Sequence, residues 1–202
     1  MTQQFHDNIL SDTALAQLFN EARTYNGWHD KDVSKEQIVR MYDLMKMAPT
    51  SANMQPGRFV WVHSEAEKKK LSGMASEGNQ DKILAAPLTV VIGYDIDFHE
   101  ELPWLFPHAD AKSWFEGDAD GREEGAARNS ALQGAYLIMA ARAVGLDCGP
   151  MSGVDLDKVT KAYFADQPKV KADWICSIGY GDPSTIFERS PRPDFDKFNA
   201  IV

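Results

Sequence analysis

The sequence predicts one helix-rich domain with a few separated strands, from three observations. Amphipathic or apolar helical runs are interspersed with short strand-like ones. Two of the strand-like runs are apolar throughout, which suits strands covered on both faces. At 202 residues the chain fits a single domain, 1–202, which at this size buries about 70% of its unfolded surface. Neither an internal repeat nor a low-complexity run interrupts it.

In chain order, Asp12 to Arg23 sets Leu15, Leu18, Phe19 and Ala22 at three- and four-residue spacing behind Ser11 or Asp12 as cap, an amphipathic helix. Ser34-Lys-Glu-Gln37 has the form of a capping box. Ile38, Met41, Tyr42, Leu44 and Met45 then share a broad face until Pro49 stops the run. Arg58 to Val62 reads as a strand. Ser64-Glu-Ala-Glu67 repeats the capping signal before a polar helix whose Lys68, Lys69 and Lys70 are expected to face water.

Pro87 to Tyr94 and Trp174 to Tyr180 are the two apolar strands. Between them Ala126 to Val144 lacks a polar stripe, so it is expected at the centre of the core or at an oligomer interface, with Gly145 as its stop. Asp155 to Phe164 gives a further helix. The tail from Ser184 to Val202 contains Pro191 and Pro193 and is expected to run extended. Its apolar end, Phe198, Ala200, Ile201 and Val202, is expected to lie against protein, such as a partner subunit.

Charge narrows the partners. With 30 acidic against 21 basic residues the formal net charge is -9, which repels nucleic-acid phosphates and anionic lipid. No apolar run is long enough to span a bilayer and no basic-then-apolar leader stands at the start, so a soluble, cytoplasmic protein is expected, with no membrane and no nucleic acid among its partners. Cys148 and Cys176 lie far apart without a Cys-x-x-Cys, which indicates neither a disulfide framework nor a thiolate zinc site. His99, Glu100, Glu101, His108 and Asp110 lack the paired-histidine spacing of a zinc helix, so no metal is expected. Ser152 is not in a Gly-x-Ser-x-Gly elbow, which argues against a nucleophilic serine.

Two segments attract functional interest. Residues 95–124 hold ten Asp or Glu against Lys112 and Arg122, interleaved with Trp104, Phe106, Trp114 and Phe115. That mixture is too apolar for a free linker and is expected to form a lid. Ala48 to Pro56 places Thr50, Ser51, Asn53 and Gln55 between two prolines that stiffen the loop. An amide head carries donors and an acceptor in one plane, so Asn53 and Gln55 can read the edge of a flat heterocycle; the plainer reading is a polar connecting loop.

Several blocks in one order carry a resemblance: Arg23 to Trp28, Ser51 to Pro56, Leu105-Phe-Pro-His108, Ser113-Trp-Phe115, Arg128-Asn-Ser130, Ala135 to Ile138, Gly145-Leu-Asp147, Gly149-Pro-Met-Ser-Gly153 and Ile178 to Asp182. Over nearly its whole length the chain resembles the FMN-dependent nitroreductase family, and within it the malonic semialdehyde (3-oxopropanoate) reductases. The resemblance implies an α+β fold with a central mixed or antiparallel sheet flanked by helices. It also implies an intertwined homodimer with an extended C-terminal tail and FMN at the subunit interface.

Carried over by position, Arg23 contacts the phosphate or ribityl chain, Ser51 and Asn53 lie against the rings, and Gln55 is nearby. Pro150, Met151, Ser152 and Gly153 pass over the flavin, with Ser152 or Gly153 as backbone donor to N5; Arg189 and Arg192 serve the phosphate. His108 is a candidate proton donor. Trp104, Phe106 and Trp114 are candidate pocket walls, and Arg122, Lys112 and Arg128 candidate anchors for a substrate carboxylate. One departure stands out: Thr24, Tyr25, Asn26 and Gly27 supply no second cation after Arg23, which would stabilise an anionic reduced flavin less. The implied activity is NADH- or NADPH-dependent reduction of malonic semialdehyde. The alternatives are a generalist nitro- or quinone reductase and a flavin-binding dimer without turnover.

Overall fold

A computed structural model describes residues 9–202. Its frame is a four-stranded sheet in the order β1-β2-β4-β3, every neighbouring pair antiparallel. α1 (Asp12–Leu15), capped by the Ser11 hydroxyl, continues as a π-helical turn to Asn20. The expected first helix therefore ends short of Arg23. α2 (Lys35–Met45) has the capping box foreseen, with Ser34 and Gln37 bonded reciprocally, and ends four residues ahead of Pro49. β1 (Gly57–Val62) leads to α3 (Glu65–Ser72) and α4 (Glu77–Ala85), then to β2 (Leu88–Asp95). α5 (Leu102–Leu105) lies among short 3₁₀ turns, α6 (Ala119–Ala143) crosses the sheet, and β3 (Asp147–Met151), α7 (Leu156–Tyr163), β4 (Val170–Gly179) and the one-turn α8 (Phe195–Phe198) follow.

Period-two alternation in β2 divides the core. Leu88, Val90 and Ile92 join Met41 and Met45 of α2 and Leu137, Ala140 and Ala141 of α6 on one face. Val91 joins Leu71, Ile83, Val159 and Ile175 on the other, under α3, α4 and α7. A smaller cluster of Met54, Phe98, Leu102, Ala111 and Ala126 underlies the acidic segment, which is thus ordered around its own apolar contacts. Gly145 ends α6 with a φ of 79°, the left-handed stop a glycine permits.

Several expectations need correction. Lys68 does not face water: it is 6% exposed and donates to the Leu84 and Ala86 carbonyls at the end of α4 while pairing with Glu65. Tyr42 and Leu44 are exposed, so the buried stripe of α2 is narrower than its apolar spacing suggests. α6 begins seven residues before Ala126 and has a polar stripe after all, with Asn129, Ser130 and Gln133 buried. The tail is not wholly extended, since α8 interrupts it. Cys148 and Cys176 are free and buried on neighbouring strands.

Candidate functional site

The sequence-derived site residues other than His108 fall into three groups. Ser51, Asn53 and Gln55 belong to the first, in a kinked 3₁₀ turn after α2. Ala52, Asn53 and Gln55 hold left-handed φ angles of 48°, 49° and 41°. Only asparagine takes this conformation readily, and for the others it costs about 1–2 kcal/mol each. The turn is held by the Ser51 N–H donating to Asn129 Oδ1 at 2.9 Å and the Gln55 N–H donating to Thr50 Oγ1 at 3.2 Å. Asn53 and Gln55 border a cavity of about 530 Å³ that is also lined by Lys46, Arg58, Trp104 and Gln133.

The second group is cationic. Arg23, Arg142, Arg189 and Arg192 line a cleft of about 270 Å³ at the C-terminal end of α6. The Arg23 guanidinium donates to the Phe187 carbonyl, Arg189 to the Asn20 and Ala22 carbonyls at 2.9 and 3.2 Å, and Arg142 to the Leu18 carbonyl at 3.0 Å. The Arg23 and Arg189 bonds stitch the tail to the end of the π-helical turn and the segment after it, and the Arg142 bond ties α6 to the same turn. None of the four pairs with a carboxylate within 4.0 Å among the described residues, although acidic residues outnumber basic ones in the chain. Glu188 lines the same cleft, and Asp147 lies nearby; burial raises the pKa of Asp147, opposed by the hydrogen bond from the Gly181 N–H and then by Arg142. Burial, then Asp147, raises the Tyr25 hydroxyl, and Arg23 opposes them.

The third group is Pro150 to Gly153. Pro150 and Met151 end β3, an edge strand for which the sequence predicts no element; a proline is tolerated at such an edge. The Gly153 carbonyl accepts from the Ser76 N–H, the Ser76 hydroxyl and Asn79 Nδ2 at 2.9, 3.1 and 3.2 Å. A Cβ at residue 153 would meet Ser76 Oγ and Asn79 Nδ2 at 2.6 Å, so glycine permits this approach. The N–H groups of Ser152 and Gly153 have no protein acceptor among the described residues. Arg23 neighbours this group in sequence pairing, because Thr24 bridges to Cys148 and the Tyr25 N–H donates to the Cys148 carbonyl at 3.0 Å.

The amide group stands apart from the arginines. Gln133, beside Gln55, precedes Arg142, beside Arg23, by nine residues of α6, about 14 Å along its axis. His108 is exposed and outside the amide-lined cavity, its ring edge-on to Phe106 at 5.6 Å. Of the candidate pocket walls, Trp104 lines the cavity, and Phe106 instead packs edge-on against Trp114 at 5.9 Å. Lys112 pairs with Glu100, Arg122 lies 3.7 Å from Asp97, and Arg128 pairs with Glu124, so none lines the cavity as a carboxylate anchor. Asn129, Gln133 and Arg142 were missed. Asn129 and Gln133 stand four apart on α6, a spacing that puts two amides on one helix face and could have flagged them.

With this geometry in view, the chain matches the nitroreductase family over residues 2–182, and it belongs to that family. A protein of Stenotrophomonas maltophilia (strain R551-3) named "Putative NADH dehydrogenase/NAD(P)H nitroreductase" is 55% identical over 96% of this chain and 99% of its own length. One of Burkholderia lata with the same type of name is 56% identical over 95% and 98%. A protein of Exiguobacterium sibiricum solved in complex with FMN superposes with a TM-score of 0.83 at 20% identity, covering 96% of this chain and 99% of that one. The α+β architecture is thus the nitroreductase-like fold.

Proposed function

We propose that this protein is an FMN-dependent oxidoreductase that takes reducing equivalents from NADH or NADPH and reduces a small carbonyl compound, malonic semialdehyde to 3-hydroxypropanoate. The carrying observation is the cleft of four guanidiniums without a carboxylate partner among the described residues. A phosphate monoester carries about -1.5 to -2 charge near neutral pH, and planar guanidiniums match its oxygens. Arg23, Arg189 and Arg192 would hold that phosphate, with Arg142 behind them. Pro150, Met151, Ser152 and Gly153 would lie along the ring system, where the Ser152 or the Gly153 N–H, neither of which has a protein acceptor among the described residues, would donate to N5. Bound FMN supplies hydride acceptance and delivery; the chain binds it, orients it and keeps water from its face.

Because the amide group and the arginine group occupy different parts of one chain, we place Ser51, Asn53 and Gln55 against the flavin of a second copy. A homodimer then completes each site. Exposed Leu132 and Tyr136 on α6, Val39 on α2, and Phe195, Phe198 and Ile201 in the tail supply apolar surface for that contact. The segment 95–118 and the first turns of α6 form the lid, and His108, presented by it, would reach substrate only on rearrangement.

Generalist reduction of nitro compounds or quinones agrees equally with the relatives' names, and acceptor competition separates the two. The expected result is a kcat/KM for malonic semialdehyde well above that for nitroaromatics or quinones. A higher value for the latter removes the dedicated-aldehyde reading. Steady-state kinetics varying nucleotide and acceptor should give parallel double-reciprocal lines, and intersecting lines argue against one shared pocket.

A further inference from the structure

Groups on four parts of the chain form one unidirectional hydrogen-bond chain. The Gly57 N–H at the head of β1 donates to Gln133 Oε1 at 2.7 Å, and Gln133 Nε2 donates to Gln55 Oε1 at 2.7 Å. Gln55 Nε2 donates to Asn53 Oδ1 at 3.0 Å, and Asn53 Nδ2 donates to the Leu105 carbonyl at 2.7 Å. The ends fix the direction: a backbone N–H can only donate and a carbonyl can only accept. Turning any one amide over would set oxygen against oxygen at one neighbour and nitrogen against nitrogen at the other. Gln133 is the best-anchored member, 4% exposed on α6. A Cβ at residue 57 would lie 2.7 Å from Gln133 Oε1, so the first link requires the glycine.

We propose that Gln133 is a positioning residue that sets the orientation of the Gln55 and Asn53 amides and, through Asn53, latches the lid at Leu105. Two consequences follow from counting hydrogen-bond capacity. Gln55 Nε2 also reaches the Ala48 carbonyl at 3.4 Å, so Gln55 offers a ligand only a lone pair, whereas Asn53 retains one N–H and one lone pair. A ligand that takes the Asn53 amide therefore acts on the same group that holds Leu105, beside cavity-lining Trp104. The latch does not depend on which ligand binds; only its coupling to flavin affinity rests on the function proposed above.

The test is hydrogen exchange of residues 102–116 in flavin-free protein, corrected for intrinsic rates, comparing wild type with Gln133→Glu. The substitution is isosteric and still accepts from Gly57, but an ionised carboxylate cannot donate to Gln55, so the amides must turn over and oppose oxygen to the Leu105 carbonyl. At pH 8 the segment should exchange roughly 2–10-fold faster, the effect of losing one hydrogen bond. As pH is lowered, but kept above the range below about 4.5 in which the wild-type segment itself opens, the protonated carboxyl regains a donor and the rate relative to wild type at the same pH should fall toward one. Lys46 just after α2, Arg58 of β1 and Glu101 face the same cavity and shift the pH at which this occurs, not its direction. Unchanged exchange at pH 8, or an equal increase at both pH values, overturns the proposal. Should Gln133→Glu not fold, Asn53→Asp at an exposed position removes only the last donor; it must accelerate the same segment, and no acceleration overturns the proposal as well.

Discussion

Ala52 shows how far a single residue can be out of place by local rules and still be retained. Its φ of 48° has no side-chain hydrogen bond to offset it, so Ala52→Gly should raise stability to urea by roughly 1 kcal/mol, and a loss of stability would mean that the turn is not strained there. Lys68 is the opposite case, a charge whose donors are all taken. Lys68→Met should destabilise by about 1–3 kcal/mol by leaving the Leu84 and Ala86 carbonyls unpaired, and a neutral result in denaturation would contradict the assignment. Its burial was not legible in sequence. The run Lys68-Lys69-Lys70 looks solvated, and only the arrival of α4's C-terminal carbonyls over α3 reveals one lysine's partner. Asn53 and Gln55 could be picked out because amides between two prolines are a local pattern, whereas Arg23 was picked out only by the family resemblance. Gln133 and Arg142 were not, since their partners come from 78 and 124 residues away.

Among the elements, the acidic segment carries ion pairs at both ends in addition to the apolar cluster that orders it. Lys112 holds the Glu100 carboxyl below its ordinary value, and Lys171 does the same for Glu123 at the start of α6. A depressed carboxyl stabilises the folded form above its unfolded pKa and loses that contribution as pH falls through the folded value. Exchange of residues 96–118 should therefore accelerate as pH drops below about 4.5, at a pH where the central strands remain protected. Simultaneous loss of both regions would contradict a separately pinned lid. β1, β2 and β4, the start of α2 and the stop of α6 were readable because strand-like runs, a capping box and a glycine stop are local signals. β3 was not, because Pro150 masks a strand whose pairing to β4 is set by tertiary contact. α6 was misread in its polar face, since a helix buried against a loop needs amides where a helix against a sheet needs none.

For the whole molecule, the proposed site is completed by a second copy. A Leu132→Asp, Tyr136→Asp double variant should sediment as a monomer and lose its flavin together with its partner's Ser51, Asn53 and Gln55; a monomer that keeps FMN at full affinity would refute the shared site. The fold and family could be read from the order of blocks along the chain. The separation of amides from arginines could not, because sequence order does not disclose which surface each group reaches.

The central claim is that the guanidinium cleft grips a flavin phosphate, and the most direct measurement compares FMN with riboflavin by fluorescence titration of flavin-free protein. Each charge-assisted contact is worth about 1.5–3 kcal/mol, so FMN should bind at least roughly 100-fold more tightly, and Arg23→Ala should remove about 10-fold or more of that preference. Equal affinities for the two flavins, or a preference untouched by Arg23→Ala, would contradict the account.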